Sequence, residues 1–426
     1  MGTLGPMGYE PKQKYNRRQS TLAYQGRFEF GVVDASIMRN LTETLGRIIP
    51  PGIAGAGEAR TLESDNTIAD LKWVTSIGDH QLSIGGQWWR AEMVDAVAPA
   101  PFTQTMTAVF LEDNWRLHDD FSLTLGGRYD HHDAFGSQFS PRVYGVWNPV
   151  EHWTIKGGVS QGYKTPNVEM LTDGIYGFGA QGTLPFVGNP DLKPEISTTT
   201  ELNVFYVADS GFTASAGVFI NRFTDKLARG TPRPNCSFAG NEGLAGCIDV
   251  GYWPNIAEFG QTVNVDKAET RGGEVSFRMP LAEQWAWLVN YTYTESEQKS
   301  GASQGLPLTN TPKHMLNSNL RWQFAEQASL WLSTEYRSKR YRGAGVAFNA
   351  LGDFKAYSLS HLGASYQITE AVTLNAVIYN LLDKDFLQYT PYANPTSANP
   401  DNVSYSNLYP INQEGRRLWL SANIQF

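Results

Sequence analysis

From about Arg17 to the last residue, apolar and polar side chains alternate at every second position. In FSLTLGGRYD, Phe121, Leu123, Leu125 and Tyr129 fall on one face, with Ser122, Thr124, Arg128 and Asp130 on the other. The series Phe212, Ala214, Ala216, Val218 and Ile220 repeats the pattern, as does Val372, Leu374, Ala376 and Ile378. At the end of the chain, Leu418, Leu420, Ala422, Ile424 and Phe426 oppose Trp419, Ser421, Asn423 and Gln425. Successive side chains of a strand point to opposite faces, so the pattern predicts antiparallel strands, each with one apolar face. The other face is too polar for the interior of a sandwich.

Two kinds of connection alternate between the predicted strands. One kind is tight: SIGDH, LHDD, NPVEH, VADSG, LAEQ, FAEQ and QITEA, with YQGRF read as a further short turn near the start. The other kind is long: Leu41 to Ala59, Pro166 to Glu195, Ala228 to Gln261 and Asp383 to Glu414. Short turns at one end and long loops at the other are the signature of an outer-membrane β-barrel. Trp147, Trp153, Trp285, Trp322 and Trp331 sit close to short turns, where amphipathic rings form an interfacial girdle. Alternation and turn chemistry give about seventeen strands. The first and last strands both run toward the short-turn side, which implies an odd count, whereas bacterial barrels have an even one.

Composition narrows the class further. The chain of 426 residues has 12% aromatic residues and 41 glycines, a mix that favours strands and turns. No apolar run reaches the roughly 18 residues of a transmembrane helix. The net charge of −8 argues against a nucleic-acid partner. The only cysteines, Cys236 and Cys247, lie in a Gly/Asn-rich segment. They read as unrelated thiols or, preferably, as a local disulfide that pins a loop in an oxidising compartment. A zinc site is disfavoured because that stretch has no histidine. The N-terminal segment lacks the apolar region of a signal peptide.

The segments FLEDNWRLHDDFSLTLGGRYDHHDAFG, SPRVYGVWNPVEHWTIKGGVSQGYKTPN, GNPDLKPE, AETRGGEVSF and NLLDKDF, and the ending EGRRLWLSANIQF, carry a family resemblance. In these segments the chain resembles the C-terminal part of a TonB-dependent outer-membrane receptor of the ferric catecholate siderophore and colicin receptor type. The resemblance implies an all-β transmembrane antiparallel barrel of about 22 strands, of which this chain would supply family strands six to twenty-two. It departs from the family at the front, where neither the energy-coupling box nor the plug domain is visible. Residues 1–16 are therefore expected to be a non-native or disordered start, and residues 17–426 a partial barrel. The resemblance also makes Asn189, Pro190, Leu192, Pro194 and Glu195 a family motif, the rigid descent from an outer loop into the next strand. Proline fixes φ and cannot donate to a ladder, so it suits that position. Phe426 would be the terminal aromatic read by the barrel-assembly machinery.

Function is expected in the outer loops. A ferric tris-catecholate is a bulky anion with aromatic faces, met by Arg and Lys charge and by aromatic stacking. The candidates are Tyr176 and Phe178 in the first large loop, and Tyr252 and Trp253 after the cysteines. RSKRYRG contributes Arg337, Lys339, Arg340, Tyr341 and Arg342, a cluster that equally fits lipopolysaccharide phosphate or plain solvated charge. Tyr389, Tyr392, Tyr405 and Tyr409 in the last loop complete the set. His131 and His132 are adjacent, so on a strand they face opposite ways. No catalytic constellation, metal site or cofactor motif is read, and GFGAQG does not follow a strand and open a helix as a nucleotide site requires. Haem is disfavoured because the family places a histidine before the NP-L motif, and residues 165–189 contain none. Cobalamin and hydroxamate siderophores stay open. The expected partners are a ferric siderophore, outer-membrane lipid and lipopolysaccharide, and the TonB complex only if a plug is present. The first reading is thus an energised siderophore receptor in the outer membrane of a Gram-negative bacterium. The alternative is a passive channel formed by a plug-less barrel. An outer-membrane enzyme would need an acid/base or Ser/His set at the barrel mouth, and none is read.

Overall fold

The computed structural model describes residues 9–49, 55–96, 98, 100–179, 184–230, 232–253, 256–301, 303–394 and 403–425. Phe426 and its expected assembly role fall outside that set. The described chain is nearly all β. It begins with β1 (Tyr9–Phe28), β2 (Gly31–Ile48), β3 (Ala59–Ile77), β4 (His80–Asp95), β5 (Phe102–His118), β6 (Phe121–His132), β7 (Gly136–Trp147) and β8 (Trp153–Lys164). Next come β9 (Ile175–Gly179), β10 (Leu184–Val187), β11 (Glu195–Val207), β12 (Thr213–Arg229), β13 (Arg233–Pro234) and β14 (Glu258–Ala282). The last are β15 (Trp285–Gln298), β16 (His314–Ala325), β17 (Ala328–Arg337), β18 (Tyr357–Thr369), β19 (Val372–Tyr379), β20 (Tyr389–Ala393), β21 (Val403–Asn407) and β22 (Arg417–Ile424). A short helix, α1 (Val346–Leu351), precedes β18. Five of the 22 β elements are short pieces inside loops (β9, β10, β13, β20, β21), which leaves the expected seventeen long strands.

Two compact units divide the chain. Unit 1 holds Met1–Tyr144, Val159–Thr198 and Phe223–Asp266; unit 2 holds Gly145–Gly158, Thr199–Arg222 and Lys267–Phe426. In unit 1 an antiparallel ladder runs in chain order from β1 to β6. In unit 2 a second runs from β14 to β19 and ends on β22.

Burial explains why these strands alternate. Leu22, Ile37, Leu71, Val109 and Leu111 are exposed in unit 1, as are Leu202, Val218, Leu288, Leu332 and Leu374 in unit 2. The apolar face is the outward one, the reverse of a soluble sheet and the arrangement of a strand that meets lipid. The aromatics near the turns pack across strands. Trp285 and Trp322 stack at 5.0 Å, and Trp153 lies 4.8 Å from Tyr206. Trp331 covers Gly363 so closely that a Cβ there would meet the indole. Trp147 and Trp153 are partly exposed, as a girdle requires.

Three boundaries differ from expectation. β1 begins at Tyr9, ahead of the Arg17 boundary. It also continues through YQGRF, and the turn comes at Glu29 and Phe30. Phe28 and Phe30 stack at 4.9 Å there, and Gly31 takes φ 129°, a conformation that favours glycine. β2 runs on to Ile48, deep into the segment expected to be loop. Its NLTETLGRI stretch pairs with β1 on one side and β3 on the other, and that pairing outweighs the turn-like composition.

Candidate functional site

The long loops fold into one cluster in each unit. In unit 1 the segment after β8 forms the β9–β10 hairpin, and β10 pairs in parallel with the start of β14 at Phe186 and Gly260. Val187, Trp253 and Phe259 form a buried core, with Ile175, Phe178 and Ile248 packed against it. Cys236 and Cys247 are joined in a disulfide, with Cα atoms 5.1 Å apart. Between that bridge and the core sits Asn235, fully buried. Its amide donates to the Trp253 carbonyl at 2.8 Å and the Ile256 carbonyl at 2.7 Å, while Oδ1 accepts from the Ser237 N–H and hydroxyl. Asn241 adds bonds to the carbonyls of Asn235 and Ala257. Every buried polar group of Asn235 is thus answered, which makes the loop a rigid knot.

The NPDLKPE segment bolts this knot to the ladder. Asn189 donates its backbone N–H to the Met170 carbonyl at 2.7 Å and its side chain to the Thr262 carbonyl at 3.2 Å. Asn189 Oδ1 also accepts from the N–H of Asp191, turning the chain at Pro190. Leu192 is buried. Asn264 bonds both backbone groups of Lys193 at 2.8 Å. Pro194 leads into β11, whose first residue, Glu195, is buried and accepts from the Leu227 N–H at 3.0 Å and Lys226 Nζ at 3.4 Å.

The aromatic candidates of this loop divide sharply. Trp253 is 6% exposed, 6.0 Å from Phe178. Phe178 in turn lies under the guanidinium of Arg60 at 4.8 Å. Arg60 and Asp95 form a buried ion pair at 2.5 Å. Tyr176 packs on Phe186 at 6.1 Å, and burial pushes its phenol above the ordinary pKa. Phe178 and Trp253 are therefore packing residues of the knot and not a free stacking surface, and Tyr176 is held against Phe186. Tyr252, 71% exposed, is open to a ligand.

Unit 2 is built differently. RSKRYRG holds its three arginines in contacts within the unit. Arg337 pairs with Glu335 at 3.2 Å and donates to Asn317 at 2.9 Å. Arg340 is buried, donates to Asn310 Oδ1 at 3.1 Å and lies over the Tyr357 ring. Tyr341 is buried against Phe348 at 5.0 Å, and burial raises its pKa. Arg342 donates from Nε to the Gly352 carbonyl at 3.0 Å and from Nη1 to Ser406 Oγ at 2.7 Å and the Asn407 carbonyl at 2.9 Å. Its guanidinium also covers Phe354 at 4.0 Å, and burial pulls its pKa below the usual value. Arg342 thus clips the β20–β21 hairpin to the loop before β18. Only Lys339 of this cluster stays largely exposed, beside Asp353 at 3.3 Å.

The clipped hairpin places Pro391 opposite Tyr405 and Tyr389 opposite Asn407. Tyr389 and Tyr405 share one face and are 54% and 64% exposed. Tyr392 points to the other face and is half-buried. Tyr409 belongs to a core with Tyr357, Leu359 and Phe386. The histidines behave as their positions imply: His131 is exposed and bonds Ser137, whereas its neighbour His132 is fully buried. Sequence reasoning passed over Arg60, Asp95 and Asn235. The only signal for them was a polar residue beside a strand end.

A family model described as TonB dependent receptor-like, beta-barrel, matches residues 4–381. The chain belongs to this TonB-dependent receptor β-barrel family. Among curated relatives of this TonB-dependent receptor chain, an iron-regulated outer membrane virulence protein of Vibrio cholerae is 36% identical over 377 residues, covering 87% of this chain and 53% of that protein. The ferric enterobactin receptor of Pseudomonas aeruginosa is 27% identical, covering 89% and 54%. A crystal structure of a mutant of that receptor shares the fold, with a TM-score of 0.75 at 24% identity, covering 97% of this chain and 62% of the other. The chain thus spans 53% and 54% of the lengths of these two curated relatives. Like them, it is an outer-membrane protein of the Gram-negative envelope.

Proposed function

We propose that this chain is the barrel portion of an energised outer-membrane receptor for a ferric siderophore, with the catecholate class favoured. The observation that carries the reading is the match to proteins named as ferric enterobactin receptors over 89% and 100% of this chain. The loop geometry supports it. A planar, anionic catecholate needs open aromatic faces with nearby positive charge. Tyr252, Tyr389 and Tyr405 are the candidate tyrosines that are open, and Lys339 is the open cation of its cluster. Arg340, Tyr341, Arg342 and Trp253 then act by holding loops, and Tyr389 and Tyr405 on the clipped hairpin are the first contacts.

The ferric complex is cargo and not a resident cofactor. Coupling to the TonB complex requires a plug. The passive-channel alternative draws no support from the relatives named above, which are a receptor and an iron-regulated outer-membrane protein. The test is a tryptophan-fluorescence titration of the purified protein with a ferric tris-catecholate and with a ferric hydroxamate. Saturable quenching by the catecholate, with weaker quenching by the hydroxamate, supports the reading. Equal affinity removes the catecholate preference, and absence of quenching by either removes the siderophore.

A further inference from the structure

The loop between β17 and β18 has a stapled base and a loose tip. At the base, Arg340 and Phe354 exchange backbone hydrogen bonds at 3.1 and 2.8 Å, and Lys339 meets Asp353 at 3.3 Å. The tip is α1, flanked by Gly345 and Gly352. Gly345 takes φ 136° and Gly352 φ 69°, and Gly343 before them takes φ 97°. A Cβ at Gly345 or Gly352 would meet no neighbouring atom, so these glycines serve backbone freedom and not close packing. α1 buries none of its residues and has no side-chain cap. A single short helix without a buried face has little of its own to hold it.

Phe348 holds the tip down by packing edge-on against Tyr341 at 5.0 Å, and Arg342 Nε donates to the Gly352 carbonyl at 3.0 Å. Tyr341 is left 7% exposed, and its hydroxyl has no partner within the protein. A hydroxyl can donate and accept. One sealed away unanswered opposes the closure that seals it. Tyr357 and Tyr409 are as deeply buried, at 6% each, but they sit in a core with Leu359 and Phe386 and Tyr341 does not. The tip thus combines glycine hinges, a helix with no buried face and a covered polar group that gains from exposure.

We propose that Gly343–Gly352 is a flap, hinged at its glycines, that lifts from Tyr341 and gives an anionic ligand access to the tyrosine hydroxyl. In the closed state Tyr341 holds the loop. In the lifted state its hydroxyl donates to a ligand oxygen, and because α1 lies beside β20, Tyr341 joins the surface that carries Tyr389. The motion stands apart from the siderophore reading; the choice of a ferric catecholate as the anion rests on it.

The test is acetylation of tyrosine hydroxyls by N-acetylimidazole in the full chain, folded in detergent, with each tyrosine followed by peptide mass spectrometry. Tyr341 is expected to react about tenfold or more faster than Tyr357 and Tyr409, because local opening exposes it without unfolding the core. Phe348→Ala should speed that reaction by about threefold or more, the worth of one aromatic pair. Gly352→Ala strains the closed backbone, should act in the same direction, and covers the case in which Phe348→Ala does not fold. Tyr357 and Tyr409 should stay slow in both variants. Tyr341 reacting as slowly as Tyr357 and Tyr409 would overturn the flap. So would a Tyr341 rate that Phe348→Ala and Gly352→Ala both leave unchanged. Binding of a ferric tris-catecholate, read by tryptophan quenching, should weaken by about threefold or more in Tyr341→Phe, the loss of one hydrogen bond. An unchanged affinity in Tyr341→Phe would overturn the ligand role. No quenching in the unaltered protein would remove the siderophore reading, and the acetylation rates alone would then decide the flap.

Discussion

The two loop clusters use the same residue types to opposite ends. In unit 1 all but Tyr252 of the aromatic candidates are spent on packing: Trp253 and Phe178 lie in or against a core pinned by a disulfide, a buried ion pair and the hydrogen-bond hub of Asn235, and Tyr176 packs on Phe186. In unit 2 Tyr389 and Tyr405 of the β20–β21 hairpin stand out from the structure, while Arg342, together with Asn407 bonded to the Phe386 carbonyl, ties the hairpin down. A loop closed by many partners buries its own chemistry. A loop tied down at its base presents it. Aromatic or cationic composition alone therefore does not mark a binding surface, because the same side chain can be scaffold or contact.

The contrast can be broken from either side. The largest expected effect follows Arg60→Ala, which removes the guanidinium that pairs with buried Asp95. Such a loss costs about 3–5 kcal/mol. Urea titration of the folded protein should show it, together with faster proteolysis of the loop before β11. A stability change near zero would mean that the ion pair does not hold the unit 1 cluster. Cys236→Ser/Cys247→Ser should cost less, about 2–4 kcal/mol. Faster hydrogen exchange at Asn235 to Phe259 would accompany it, with no change in the β20–β21 hairpin.

Arg342→Ala removes three hydrogen bonds and a ring contact from one partly buried side chain. A loss of about 1–3 kcal/mol is expected, confined to the hairpin. Arg342→Lys should not restore it, since an ammonium cannot reach Gly352, Ser406 and Asn407 from one planar fork. Full rescue by lysine would show that charge alone matters. The smallest stability effect belongs to Tyr389→Ala/Tyr405→Ala, within about 0.5 kcal/mol because both rings are exposed. Under the proposed function that same variant should weaken ferric catecholate binding more than Trp253→Tyr does.

The strands were legible because membrane strands write their burial at period two. Leu123 and Leu125, or Leu418 and Leu420, alternate plainly with polar neighbours, and the tight turns carry their own Asp, Gly and Asn chemistry. The disulfide was legible as the preferred of two readings, and the NPDLKPE descent through the resemblance. The extension of β2 was not, because NLTETLGRI is ordered by the strands on either side of it. The roles of the loop residues were the least legible. Arg60 reaches Asp95 and Phe178, and Arg342 reaches Ser406 and Asn407, across distances in sequence that no local pattern encodes. RSKRYRG reads as a charged patch because its acceptors and ring partners, Asn310, Tyr357, Gly352 and Ser406, lie outside the motif.

The measurement that bears most directly on this account is hydrogen–deuterium exchange of the purified protein with and without a ferric tris-catecholate. The account predicts that the ligand slows exchange across Tyr389 to Ala393 and Val403 to Asn407, while the exchange of the Asn235 to Ile248 segment, pinned by the disulfide, stays as it was. Protection that appears in the unit 1 knot and leaves the hairpin unchanged would contradict it.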